Sequence, residues 1–94
     1  MSLEKKINES IKDSMKSKDT LRLESLRAIK AAILLEKTKT GLKDEVEEVV
    51  IIKLLQKMVK QRNESAKIFN EQKREELANI EISQAKIISE FLPD

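Results

Sequence analysis

The sequence lacks cysteine and histidine, and it contains one glycine, one proline and two aromatic residues among 94. Without thiols or imidazoles it has no disulfide, no imidazole base and no ordinary ligand set for zinc, haem or an iron–sulfur cluster, so thiol and imidazole chemistry is excluded and catalysis is not expected. Sheet proteins usually contain more glycine and proline than this sequence does, because turns join their strands. Charged residues make up 38% and hydrophobic residues 39%, as in long soluble helices. The composition therefore predicts an all-α fold.

The length and charge of the chain restrict its class further. We expect residues 1–94 to form a single domain, because domains usually contain about 100 to 200 residues. The 19 basic and 17 acidic residues leave a net charge of +2, so an anion-binding surface has to be local. No apolar run approaches the roughly 18 residues of a membrane span, and no signal-peptide core follows Met1. These features predict a cytoplasmic protein without membrane contacts.

Sequence motifs for catalysis are absent. The chain contains no glycine-rich phosphate loop, no dinucleotide-binding fingerprint, no nucleophile elbow and no zinc-protease motif. Adjacent acidic pairs such as Glu47 and Glu48 point about 100° apart on a helix, which is a poor geometry for shared acid–base chemistry. We therefore predict no catalytic residue, no metal and no cofactor.

Apolar residues at helical spacing predict two helices in the first half of the chain. Ser2 is the expected N-cap of the first, which ends near Ser17. Asp19 is the expected N-cap of the second, which ends near Lys39, before a turn at Gly41. The apolar stripe of the second helix is unusually broad, which predicts a central position in the fold.

Two further helices are predicted after this turn. Asp44 and Glu47 form a capping-box-like start for the third. Asn70 is the expected cap of the fourth, which ends at Leu92 before Pro93. The expected buried face of the fourth helix consists of Leu77, Ile80, Gln84, Ile87, Ile88 and Phe91. Four helices with short connections predict a small antiparallel four-helix bundle.

Arg62 lies in the middle of the apolar face of the third helix. The other members of that face are Ile51, Leu55, Met58, Val59, Ala66 and Phe69. Because an unpaired guanidinium is costly to bury, we predict a structural ion pair with Glu81 or Glu24. Two alternatives stay open: the stem of Arg62 packs while its head reaches water, or the residue has a functional role.

The opposite face of the third helix carries a lysine stripe. Its members are Lys53, Lys57, Lys60 and Lys67. Such a stripe is either a solvated surface or a set of phosphate contacts, and its extent over about four turns suits a nucleic-acid backbone better than a compact anion. Arg27 and Lys30 form a second basic surface on the second helix. These six residues are the candidate nucleic-acid-binding residues.

Five apolar residues form a candidate protein-interaction surface. Leu23 and Leu34 share the outer face of the second helix with basic residues, and they either pack under the first helix or dock a partner. Val46, Val49 and Val50 fall on the lysine side at the start of the third helix. Either the preceding loop wraps this turn, or the turn binds another protein, such as a partner helix.

A series of short motifs extends along the chain. They are Met15-Lys16-Ser17-Lys18-Asp19, Arg22-Leu23, Leu26-Arg27, Lys60-Gln61-Arg62, Glu64-Ser65, Phe69, Arg74, Glu76-Leu77 and Phe91-Leu92-Pro93. Together they resemble the YqeY family and, more broadly, the GatB/YqeY helical domain, which also occurs at the C-terminal end of the B subunit of the tRNA-dependent Asp/Glu amidotransferase. The resemblance implies a GatB/YqeY-like N-terminal helical domain. A smaller C-terminal helical domain normally follows in the family, and we expect it to be absent because the sequence ends at Asp94.

The resemblance also implies a function. In the amidotransferase the related region helps to hold tRNA, while the chemistry belongs to other domains and another subunit. We therefore expect a non-catalytic accessory domain that contacts tRNA, or an amidotransferase-related complex, through its basic helix faces. One alternative is a helical protein–protein interaction module. Another is part of a glutamine-dependent carbon–nitrogen ligase, although we expect no amidation by this chain alone.

Overall fold

The computed structural model describes residues 2–93 as four α-helices joined by short connections. The helices are α1 Leu3–Ser17, α2 Thr20–Thr40, α3 Glu48–Glu71 and α4 Glu75–Ser89. Residues 2–93 contain no strand. The predicted all-α class and small helical bundle are therefore confirmed.

The helices form two hairpins that pack against each other. α1 packs along α2, α3 packs along α4 over the most extensive interface, and α2 contacts all three other helices. α3 also contacts all three other helices, so the central position predicted for α2 is shared with α3. The main core consists of Leu3, Ile7, Leu26, Ile29, Ile33, Val46, Ile51, Leu55, Met58 and Ile88.

The first two helices begin at their predicted caps. Ser2 Oγ accepts a hydrogen bond from the N–H of Lys5, and Asp19 Oδ1 accepts one from the N–H of Arg22, both at 3.1 Å. Each cap satisfies one N–H group that has no partner within the first helical turn. Gly41 ends α2 in the left-handed conformation with a φ of 73°, as its position predicts.

The predicted start of α3 is wrong. The helix begins at Glu48, four residues after Asp44, and its N-cap Glu47 makes no side-chain capping bond. The loop before the helix is held by Val46, which is only 5% exposed and belongs to the core. Burial of this valine, rather than a polar cap, therefore determines where the chain enters α3.

The predicted cap of α4 is also wrong, because α3 continues through Asn70. The end of α3 is a Schellman motif: Arg74 N–H bonds the carbonyl of Phe69 at 2.8 Å, and Lys73 N–H bonds that of Asn70 at 3.0 Å. Lys73 adopts the left-handed conformation with a φ of 61°. α4 then begins at Glu75, so the turn between the two helices is very tight.

Lys73→Gly is expected to raise the free energy of unfolding by about 0.5 to 1 kcal/mol, because a left-handed backbone costs a residue with a Cβ atom about 1 to 2 kcal/mol. Thermal denaturation followed by circular dichroism would show this as a higher melting temperature. Lys16→Gly is the control, since Lys16 lies within α1. That change should lower the melting temperature, and a decrease with both variants would contradict the assignment of strain to Lys73.

The buried face of α4 differs from the predicted stripe. Ala78, Ala85 and Ile88 are buried, whereas Leu77 is 39% and Ile80 48% exposed. The centre of the buried face is therefore rotated by about 100° from the centre of the predicted stripe, and Ile88 belongs to both. Alanines allow the α4 backbone to approach its neighbours closely, so the helix packs through its small residues and leaves larger ones partly exposed.

Ion pairs join the ends of the helices. α4 ends at Ser89, earlier than predicted, and just beyond it Glu90 Oε2 lies 2.9 Å from Arg22 Nη1 of α2. Lys37 Nζ near the end of α2 lies 2.8 Å from Glu4 Oε1 at the start of α1, and these two side chains are 24% and 11% exposed. The second pair is the better shielded from water and ties the two helices in antiparallel register.

Candidate nucleic-acid interface

The four lysines of the lysine stripe lie on the exposed side of α3. They are Lys53, Lys57, Lys60 and Lys67. They fall within about 80° of the helix circumference, opposite the buried face. Between residues 2 and 93, no carboxylate lies within 4.0 Å of any of these ammonium groups. The helix thus presents four lysines side by side to solvent.

Two shallow grooves adjoin one edge of the lysine stripe. One, of about 560 Å³, is lined by Gln56, Val59, Lys60, Asn63, Glu64, Lys67 and Leu92. The other, of about 530 Å³, is lined by Asn63, Ala66, Lys67, Asn70, Glu71 and Ile82. Because the two grooves share Asn63 and Lys67, they adjoin each other as a shallow surface between α3 and the α4 side of the molecule.

Two acidic residues reduce the charge of this surface. Glu64 and Glu71 are exposed and line the grooves. Four lysines and two glutamates give a local net charge of 4 − 2 = +2. On the helix projection both glutamates fall among the lysines, within the roughly 80° that the stripe covers. The side of α3 nearest α4 carries neutral amides, and the two carboxylates line the grooves from within the lysine stripe.

The two candidate basic residues of α2 lie apart from the lysine stripe. Arg27 is exposed on the outer face of α2. Lys30 Nζ donates a hydrogen bond to Asn8 Oδ1 of α1 at 2.7 Å. The structure therefore groups the four lysines of α3 on one helix face and leaves Arg27 and Lys30 on a different helix, beside α1.

Arg62 is half-buried on the core side of α3, as predicted. Its Nε atom is buried and has no hydrogen-bond partner within residues 2–93. The expected ion pair does not form, since no carboxylate of the described chain lies within 4.0 Å of the guanidinium. Glu24 is exposed on the outer side of α2, and Glu81 is half-buried on α4 but beyond that distance. The arrangement matches the alternative in which the stem of Arg62 packs against the core.

The candidate protein-interaction residues differ in their exposure. Val46 is buried in the core from the loop before α3, so its placement on an outer helix surface is wrong. Leu23 and Val50 are half-buried. Leu34 is 52% and Val49 55% exposed. These last two retain a large accessible apolar surface.

Three amide side chains beside the lysine stripe were missed by the sequence reasoning. They are Gln56, Asn63 and Asn70, all exposed and all lining the grooves. A signal for them exists in the sequence, because an amide follows a lysine by three residues at positions 53, 60 and 67. The pattern of charged residues does not reveal this repeat, because amides are neutral.

Neither a metal site nor a membrane span is found in the described part of the chain. No group of three or more suitable side chains between residues 2 and 93 could hold a metal ion. No helix in that range is both long and apolar enough to cross a membrane. The exposed side chains of α3 carry ammonium, carboxylate and amide groups, and small aliphatic patches lie beside them.

Comparison with known proteins places these features in a family. The family model described as Yqey-like protein matches residues 4–94. The chain is also 35% identical over 82 residues to altered inheritance of mitochondria protein 41, mitochondrial, of Clavispora lusitaniae. That alignment covers 87% of this chain and 46% of the relative, so the chain spans less than half the length of this curated protein.

Proposed function

Because the chain belongs to the YqeY family, we propose that it is a non-catalytic accessory domain that contacts tRNA, or a tRNA-handling complex, through the lysine stripe of α3. The observation that carries the proposal is the set of four exposed lysines on one helix face, without carboxylate partners among residues 2–93. Arg27 and Lys30 would provide secondary contacts on α2. A cytoplasmic location stays a prediction from the sequence.

The dimensions of the lysine stripe favour a polymeric anion. Lys53 and Lys67 are separated by about 21 Å along the helix axis, too far apart to share one phosphate group. Lysines that neutralise phosphates along a nucleic acid release its condensed counterions, which drives binding. Phe69 and Phe91 are half-buried, so the chain presents no exposed aromatic platform on which bases could stack. Phosphate contact with folded RNA is therefore the interaction that this surface supports best.

Fluorescence anisotropy with labelled tRNA tests the proposal. If all four lysines contact phosphates, raising the salt concentration from about 50 to about 200 mM should weaken binding by about a hundredfold. Changing all four lysines of the stripe to glutamine should lower the affinity at low salt by at least about tenfold and reduce the salt dependence. The reason is that glutamine keeps much of the side-chain length but releases no counterion.

The matched control changes four exposed lysines outside α3 to glutamine. They are Lys12, Lys16, Lys43 and Lys86. Both variants have a net charge of 2 − 4 = −2, so a difference between them reports position rather than total charge. Absence of tRNA binding by the unmodified chain at low salt would rule out direct contact, and equal losses in both variants would rule out the lysine stripe as the site.

A helical protein–protein interaction module is the second candidate function, and the exposure of Leu34 and Val49 favours it. Scattered exposed aliphatic residues are common on soluble proteins, so this signal is weaker than the aligned lysines. The two functions can be separated by substitution. Changing Leu34 and Val49 to serine alters an apolar interface and leaves the lysine stripe intact.

A further inference from the structure

Two parallel rows of exposed polar side chains run along α3. The lysine row consists of Lys53, Lys60 and Lys67, and the amide row of Gln56, Asn63 and Asn70. Neighbours within a row are seven residues apart, which corresponds to a rise of about 10.5 Å. A seven-residue step drifts by only about 20° around a helix, so the rows stay about 60° apart over their whole length.

The amide row lies along the shallow groove between α3 and the α4 side, which Glu64 and Glu71 also line. Asn63 lines both parts of this groove, with Gln56 in the first part and Asn70 in the second. Within residues 2–93, none of the six side chains in the two rows makes a hydrogen bond or ion pair with another protein side chain or with the backbone. Their donors and acceptors therefore face solvent.

The two rows differ in the chemical groups that they can recognise. A lysine ammonium donates only and carries charge, so it suits a phosphate oxygen. A side-chain amide both donates and accepts, so it can pair with a hydroxyl group, which also does both. A nucleic-acid strand that presents phosphates and hydroxyls side by side along its backbone is RNA, because its ribose carries the 2′-hydroxyl that DNA lacks.

We propose that the groove beside α3 binds the ribose–phosphate backbone of RNA in preference to DNA, with the lysine row at phosphates and the amide row at 2′-hydroxyl groups. This inference rests on the proposed function, and it adds the side chains that distinguish ribose from deoxyribose. The contacts are to backbone rather than to base edges. The surface therefore distinguishes RNA from DNA without reading a nucleotide sequence.

The amide row is tested by comparing a labelled RNA hairpin with a DNA hairpin of the same sequence. The unmodified chain should bind the RNA about tenfold more tightly, as expected for a few neutral hydrogen bonds. Changing all three amides of the amide row to alanine should reduce this preference to within about twofold. The salt dependence should stay unchanged, because the lysine row is intact.

The control replaces three exposed amides that lie outside the amide row with alanine. They are Gln61, Gln72 and Asn79. This variant should keep the full RNA preference. Circular dichroism verifies that each variant is folded, and Gln56→Ala combined with Asn63→Ala replaces the triple variant if removing Asn70 disturbs the end of α3.

The outcomes separate the two proposals. Equal binding of both hairpins by the unmodified chain overturns the selection of RNA but leaves phosphate contact by the lysine stripe in place. An RNA preference that survives in the amide-row variant overturns the assignment to these side chains. Failure to bind either hairpin at low salt removes the proposed function and this inference together.

Discussion

Ile88→Ala is expected to lower the free energy of unfolding by about 2 to 5 kcal/mol, the usual range for truncating a buried isoleucine to alanine. Ile88 is fully buried in the core. Its truncation leaves a cavity that the surrounding helices fill only in part. Small domains are stable by about 5 to 15 kcal/mol, so the variant loses a large part of its stability.

Ile80→Ala on the same helix provides the matched control. Ile80 is 48% exposed, so the same truncation should cost less than about 1 kcal/mol. Urea denaturation of both variants measures the difference as a shift of the transition midpoint. Equal losses would mean that α4 buries the face predicted by its large apolar residues, and that the helix is rotated from the position described above.

Arg62→Met is expected to raise the free energy of unfolding by about 1 to 3 kcal/mol. The buried Nε of Arg62 has no hydrogen-bond partner within residues 2–93, and a buried donor left unsatisfied costs about this amount. Methionine keeps a flexible aliphatic chain in the same space and brings no donor. Thermal denaturation should therefore show a higher melting temperature.

Arg62→Ala should have the opposite effect, because it also removes the aliphatic stem that packs on the core side of α3. It should lower the melting temperature more than Lys57→Ala, since Lys57 is exposed. A loss of stability with Arg62→Met as large as that with Arg62→Ala would show that the guanidinium makes a favourable interaction. Equal melting temperatures for Arg62→Ala and Lys57→Ala would contradict the core-side position of Arg62.

The sequence predicts those parts of the fold that depend on local chemistry. Ser2 and Asp19 cap the helices at which they were expected, and Gly41 ends α2. Lys18 and Lys73 terminate helices in the same left-handed conformation without being glycine. Backbone hydrogen bonds of the Schellman motif stabilise these ends, and no particular side chain signals them.

The packing of α4 depends on the rest of the molecule. Large apolar residues dominate a helical pattern, but Ala78 and Ala85 provide the close contact because little side chain separates the backbones there. Similarly, Val46 is buried by helices that are distant in sequence, so its local position on the chain does not reveal its burial. Tertiary contacts therefore determine both the buried face of α4 and the burial of Val46.

The candidate nucleic-acid interface also has one part that the sequence predicts and one part that depends on the tertiary structure. The exposed lysine stripe follows from the helical period and was predicted from the sequence. The groove beside it depends on where α4 and Leu92 lie relative to α3, and spacing alone does not give this. The position of the amide row along this groove likewise depends on the tertiary structure.

The outer end of the α3–α4 hairpin has few buried neighbours. From Lys67 to Leu77, every residue except the half-buried Phe69 is exposed. Segments with little burial open at a lower free energy than the core, so the last turn of α3 should fray while the remainder of the bundle stays folded. A ligand bound by Lys67 and Asn70 therefore has to order this end, which costs conformational entropy. A variant in which this end is already ordered should bind the ligand more tightly without any additional contact.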